Sequence, residues 1–263
     1  MHMKIAIQLY TLRNETAENL DRVLGEVKKM GYDGVELAGL CGHTADEVKA
    51  MLEKHGLEAI SAHIGVGDCV SIEKLNDYKS IGCKYGVVPG TKHTTEENKE
   101  EILGLLKVCF ENLVSVGLIP GYHNHDWEFK TEFDGEKYID ILYKTFPDIK
   151  TELDLCWVKV GGSDPTEYIK KYNGRTEILH VKDFVGKGYV VCDDGSQPKM
   201  PLASELDFDQ RPVGYGVVGA AAIVEAAKAC GTEWLVVELD TPAKDTTSFE
   251  CAAKSVEYLK GLV

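Results

Sequence analysis

Residues 29–37 read Lys29-Met30-Gly31-Tyr32-Asp33-Gly34-Val35-Glu36-Leu37, and this stretch holds the unit from which the chain is built. A polar, helix-forming run stops at Gly31. A short apolar run follows at once and carries an acidic residue near its end. Glycine takes φ > 0 without steric cost, so it marks the place where a helix stops. The same phrase returns as Lys54-His55-Gly56 before residues 57–61 and Ser80-Ile81-Gly82 before residues 85–88. It recurs as Ser115-Val116-Gly117 before residues 118–122 and Ala229-Cys230-Gly231 before residues 234–238. Helix starts are signalled too. Thr44-Ala45-Asp46-Glu47 is a capping box, and Ser163-Asp164-Pro165 places a cap ahead of a proline at the first helical position. Leu20, Val23, Leu24, Val27 and Met30 fall on one helical face.

Working outward, strands are predicted to begin near Ile5, Val35, Ala59, Val87, Ile119, Thr151, Ile178 and Leu235. Strands alternating with helices imply a parallel sheet with crossover helices. Eight such units closing on themselves make a single (β/α)8 barrel, a TIM barrel, expected to occupy residues 1–263 as one domain; an open doubly wound sheet is the alternative. The length of 263 residues matches the roughly 250 of such barrels. The interval from Val181 to Trp234 is longer than the others and contains Gly186, Asp193-Asp194-Gly195 and Pro198. It predicts an extended loop between strands 7 and 8, with a hairpin over the barrel mouth.

Composition narrows the function. Asp plus Glu outnumber Lys plus Arg by 43 to 29, for a formal charge of −14, which repels nucleic acid at long range. No stretch approaches the roughly 20 apolar residues of a membrane helix. The N-terminal apolar run is too short for a signal peptide, so a cytoplasmic location is expected. The eight cysteines include no C-x-x-C pair and read as reduced, mostly buried thiols. Self-association into a homo-oligomer is left open.

Active sites of these barrels lie at the C-terminal ends of the strands. Here the first strand carries Gln8, the second Glu36, and the third ends on His63. The fifth ends Tyr122-His123-Asn124-His125, the sixth Glu152-Leu153-Asp154, the seventh His180-Val181-Lys182-Asp183 and the eighth Glu238-Leu239-Asp240. His123 and His125 share a face by the period of two, as do His180 and Lys182. Parallel-strand interiors are normally apolar, so charges there need partners or a metal. Mixed imidazole and carboxylate donors suit a divalent ion such as Mn, Co, Zn, Fe or Mg. Gly214-Tyr215-Gly216-Val217-Val218-Gly219 fits a dinucleotide fingerprint in spelling only. No strand immediately precedes it, so it reads as a turn into a late helix.

At these strand ends the chain resembles the xylose-isomerase-like barrel superfamily of sugar phosphate isomerases and epimerases, which includes ketose 3-epimerases, inosose dehydratase and endonuclease IV. The resemblance covers nearly the whole chain. It implies a metal held by Asp154, His180 and Glu238. The first ligand of the family is a Glu, but this chain reads His123-Asn124-His125 where many relatives read Glu-Asn-His, so His123 falls on that position. One carboxylate of the epimerases' acid–base pair is thereby missing, and Glu128 is the nearest replacement in sequence.

The expectation is a metal-dependent isomerase or epimerase that removes a proton next to the carbonyl of a small sugar or keto sugar. The metal ligands are His123, Asp154, His180 and Glu238, and the catalytic groups Glu238 and His125. Gln8, Glu36, His63, Trp157 and Lys182 are the candidate substrate-binding residues, and Asp183 is expected to orient an imidazole. A lyase or dehydratase acting on a keto sugar or inosose is the alternative, and a non-catalytic sugar-binding relative is a second. A DNA-repair nuclease fits poorly with the charge.

Overall fold

The computed structural model describes residues 3–186 and 208–263. Eight parallel strands close into a barrel. They are β1 (Lys4–Gln8), β2 (Gly34–Leu37), β3 (Glu58–His63), β4 (Tyr85–Val88), β5 (Ile119–His123), β6 (Lys150–Asp154), β7 (Ile178–Val181) and β8 (Trp234–Val237). Each strand pairs with its sequence neighbours, and β8 closes on β1 with Ile5 opposite Leu235. All eight predicted strand starts fall inside these strands.

The main outer helices are α1 (Arg13–Met30), α2 (Ala45–His55), α3 (Ile72–Ile81), α4 (Lys99–Ser115), α5 (Tyr138–Thr145), α6 (Pro165–Lys171), α7 (Ala220–Ala229) and α8 (Ser248–Lys260). Gly31, Gly56, Gly82, Gly117 and Gly231 all take positive φ, as helix ends require. Thr44 and Glu47 form the reciprocal capping box at the start of α2, and Asp164 caps α6 ahead of Pro165. One helix is less regular than its pattern suggests. Asn19 is extended at φ −162° and breaks α1, while its Oδ1 accepts the Arg22 N–H at 2.9 Å and restarts the helix. Leu20, Val23, Leu24 and Val27 are buried beyond the break.

Two packed regions follow from the alternation of strand side chains. One face of the strands packs on the helices in the main core. The other face fills the barrel. Its lower part is apolar, with Ala6, Ile60, Tyr85, Val87, Ile178, Trp234 and Val236 in one buried cluster. Two residues further along the same strands the inward positions turn polar: Gln8 after Ala6, His180 after Ile178, Glu238 after Val236. The barrel is therefore plugged at one end and chemically equipped at the other.

Between β7 and β8, Asp183–Val185 pairs antiparallel with Asp209–Arg211, so a two-stranded ribbon does stand in the long interval. The turn signals Asp193-Asp194-Gly195 and Pro198 lie outside the described residues. Among the described residues no helix is long and apolar enough to cross a membrane. Seven described cysteines are free, and five of them are buried.

Candidate active site and metal centre

Strand register decides which side chains meet. His123 stands opposite Glu152, Asp154 opposite His180, and Gln8 opposite Glu36, whose other neighbour is Ser61. A register shift between Val35 and Glu36 brings Ser61 to that level. One donor atom each from His123, Asp154, His180 and Glu238 lies within 4.8 Å of all the others, and all four residues are buried. The four predicted ligands therefore converge. Strands β5 to β8 contribute one each, with Glu238 just past the end of β8.

Their electrostatics follow from burial. Glu36, Glu152, Asp154 and Glu238 are four carboxylates at most 4% exposed. Lys182, fully buried, sets its ammonium 3.0 Å from Asp154 Oδ2, 2.9 Å from Glu238 Oε2 and 3.0 Å from Asp240 Oδ2. It balances Asp154 and two further acids with it. Burial works to raise the Glu238 carboxyl, but Lys182 and then His180 hold it well below the usual range. Burial pushes Asp154 up to about 6 against the pull of Lys182. His180 is raised well above the usual imidazole range: burial opposes its charge, but the Glu152 and Glu36 carboxylates overcome it. His123 goes the other way, lowered first by burial and then by His180, which keeps it neutral and able to ligate.

These residues fit a divalent ion. Imidazole and carboxylate are the required donor chemistry. The buried carboxylates exceed the one lysine set among them. The chain alone meets this excess by protonating imidazoles, which a cation would make unnecessary. His180 also has a supporting partner, because Nδ1 faces Glu238 Oε2 at 3.0 Å while Nε2 meets Glu36 Oε1 at 2.7 Å. A ligating imidazole is commonly fixed by a carboxylate on its other nitrogen.

The remaining predicted residues occupy three positions. His63 and His125 line the mouth together with Tyr10, Ala38, Pro89, His123, Glu238 and Asp240, around a cavity of about 350 Å³. Trp157 stands beside this wall, its ring 6.2 Å from that of His125 and stacked on Phe208 at 5.7 Å. Gln8 and Glu36 lie beneath, with no exposed surface. The Gln8 amide donates to Glu36 Oε1 at 2.6 Å and accepts the Tyr10 N–H at 3.0 Å, and Ser61 Oγ donates to Glu36 Oε2 at 2.6 Å.

Two expectations are corrected. Asp183 does not orient an imidazole. Its carboxylate accepts backbone N–H groups of Phe184, Gly214, Gly216 and Val218 at 2.9–3.1 Å. The glycine-rich turn thus wraps an internal anion, and a Cβ on Gly216 would fall 2.3 Å from both Asp183 Oδ1 and the Phe184 carbonyl. Glu128 does not replace the missing carboxylate. It turns away to accept the Tyr122 hydroxyl at 2.9 Å and the His125 N–H at 2.8 Å. The carboxylate that does stand beside His123 is Glu152, with Oε2 3.6 Å from His123 Nδ1 and 2.7 Å from His63 Nε2. Its spacing of two before Asp154 was the available signal.

The family model described as xylose isomerase-like TIM barrel matches residues 24–262, and the chain belongs to this family. An inosose dehydratase from Geobacillus kaustophilus is 29% identical over 192 residues, 62% of this chain and 61% of that protein, so the match spans about three fifths of that relative. A sugar phosphate isomerase/epimerase from Parabacteroides distasonis superposes with a TM-score of 0.77 at 22% identity, covering 98% of each chain. The 3-keto-D-glucoside 4-epimerase from E. coli does so with a TM-score of 0.68 at 16% identity, covering 99% of this chain and 100% of that one. Both likenesses are likenesses of fold.

Proposed function

We propose that the chain is a divalent-metal-dependent isomerase or epimerase of a small sugar or keto sugar, removing a proton from the carbon beside a carbonyl. One observation carries this reading: Glu238 and His125 face the same mouth cavity, directly above a buried set of imidazole and carboxylate donors. Held by His123, Asp154, His180 and Glu238, a divalent ion supplies Lewis acidity toward the substrate carbonyl. Glu238 and His125 approach the cavity from different strands, so one is placed to take the proton and the other to return it. Trp157, packed between Phe208 and Lys182, backs the His125 ring. Lys182 holds Glu238 in place, and Glu36, itself fixed by the Gln8 amide, holds His180.

The likeness to an inosose dehydratase favours a second reading, loss of water from a keto sugar or inosose, which begins with the same proton removal. The two separate by product. The metal-loaded chain is incubated with a panel of keto sugars and inososes in deuterated water and followed by NMR. Deuterium entering the carbon beside the carbonyl of an isomer or epimer is the expected result, and an unsaturated product assigns the lyase. A product formed without solvent deuterium points to hydride transfer and sinks the proposal. Stoichiometric metal with no exchange in any sugar points to a binding protein. Glu238→Gln should lower kcat more than it changes KM.

A further inference from the structure

Asp240 stands two residues beyond Glu238 on the wall of the mouth cavity, outside both the metal donors and the pair assigned to proton transfer. Its carboxylate is held by one oxygen only. Oδ2 accepts Lys182 Nζ at 3.0 Å and the Gln210 amide at 2.6 Å, and both of these donor residues are buried. Oδ1 has no partner among the described residues, and the side chain is 33% exposed. The backbone is tied as firmly. The Asp240 and Thr241 N–H groups donate to Gln210 Oε1 at 2.7 and 3.2 Å, and the Asp240 carbonyl accepts Arg13 Nη2 at 2.8 Å. The start of α1, the ribbon strand Asp209–Arg211 and the segment after β7 therefore all fix one residue. Its second oxygen is a preformed acceptor that needs little ordering when a ligand arrives.

The cavity limits what that acceptor can meet. Its volume of about 350 Å³ is at the small end of the roughly 300–1,000 Å³ of ligand pockets, which suits a single sugar unit. None of its lining residues is a lysine or an arginine. Lys182 and Arg13 both touch Asp240, but Lys182 is shared among three carboxylates. The Arg13 guanidinium is turned to the Tyr10 and Asp240 carbonyls and to the Tyr10 ring, 4.3 Å away. A phosphate brought to this wall meets the Asp240 carboxylate with no cation among these residues to receive it, and like charges so placed repel. A hydroxyl meets an acceptor.

We propose that Asp240 determines specificity at the mouth: Oδ1 accepts a hydroxyl of an unphosphorylated monosaccharide or cyclitol, and its charge turns phosphate esters away. The proposal rests on the reading above for the sugar-like nature of the substrate. A site built to bond a hydroxyl rejects the analogue that lacks it, because the buried acceptor is then left unpaired.

The test is calorimetric titration of the metal-loaded full chain with D-fructose, D-tagatose and scyllo-inosose, and with the 6-phosphates of the first two. Solvent exchange of the same probes is followed by NMR. In Asp240→Asn the amide oxygen takes the place of Oδ2 toward Lys182 and Gln210, so the cavity-facing atom changes from acceptor to donor. Neutral probes should lose roughly 10- to 100-fold in affinity, as for a lost hydrogen bond to a charged group. The 6-phosphates should bind the wild type about tenfold or more weakly than their parent sugars, a gap that narrows in the variant. For a probe that exchanges, KM should rise more than kcat falls. Metal content and circular dichroism check the donor set and the fold. Monodeoxy forms of the tightest neutral probe give the same reading without a substitution, since one of them should bind the wild type as weakly as its parent binds Asp240→Asn. Unchanged affinity in Asp240→Asn, a 6-phosphate that binds the wild type as tightly as its parent, or no binding of any neutral probe overturns the proposal. Binding that depends on Asp240 without exchange in any probe supports it and removes the isomerase reading. Exchange indifferent to Asp240→Asn does the reverse.

Discussion

At Glu128 burial, more than any neighbouring charge, sets the protonation state. The carboxyl is pushed up to about 8 from an ordinary 4.5 by burial, against the hydrogen bonds it accepts from Tyr122 and the His125 backbone. Between these values the folded chain holds a proton that the unfolded chain has released. The contribution of Glu128 therefore disfavours the folded state increasingly as pH rises from 4.5 through about 8, and levels off above. Glu128→Gln mimics the protonated acid, with an amide able to donate to Tyr122 while its oxygen accepts from His125. Melting curves across this range should show wild type losing stability with rising pH relative to the variant. Parallel pH profiles of the two proteins would show that the carboxyl is ionised in the fold.

For the elements, caps and anchors are separable from the site. Thr44 Oγ1 accepts the Glu47 N–H, and Glu47 Oε2 accepts the Thr44 N–H at 2.8 Å. Thr44→Ala should cost about 1 kcal/mol in a denaturant titration and leave metal content unchanged, since α2 lies outside the barrel. Asp183 ties a longer segment. Three of its four backbone contacts hold residues 214–218 against the strand after β7. Asp183→Ala leaves those N–H groups without an acceptor, at roughly 1–3 kcal/mol for each group that stays buried. Hydrogen exchange should accelerate at Gly214, Gly216 and Val218 with little change in the barrel strands. Uniform acceleration across the molecule would show that the carboxylate supports the whole fold and not the turn alone. The same contacts explain why the glycine pattern needs no phosphate: an internal carboxylate fills that place.

Over the whole molecule, a metal acts as a ligand of the folded state alone. Free ion at about 100 times its dissociation constant adds about 2.7 kcal/mol. For a chain of this size that should raise Tm by roughly 5–10 °C. A chelator should reverse the shift, and Asp154→Ala or His180→Ala should shrink it. An unchanged Tm on addition of Mn, Co, Zn, Fe or Mg would remove the metal from the site. The formal charge of −14 favours cation uptake into an acidic mouth and works against anionic polymers.

The sequence by itself determined what is local. Glycines at helix ends, the Thr44 and Asp164 caps and eight apolar runs specify the strands and helices, because backbone conformation and capping act over a few residues. The points where the apolar runs stop put His123, Asp154, His180 and Glu238 at the ends of their strands, and β/α alternation was enough to infer a barrel that gathers strand ends. Only the tertiary structure decided how the donors are shared. Register put Glu152 opposite His123, and barrel closure brought His63 of β3 to Glu152 of β6, 89 residues away. The fold also pointed Lys182 at three acids, Asp183 at a turn and Glu128 away from the donors. A repeat in sequence encodes which face of a strand a side chain occupies. Its depth in the barrel and its partner across the barrel depend on the pairing of all eight strands at once, which no local pattern contains.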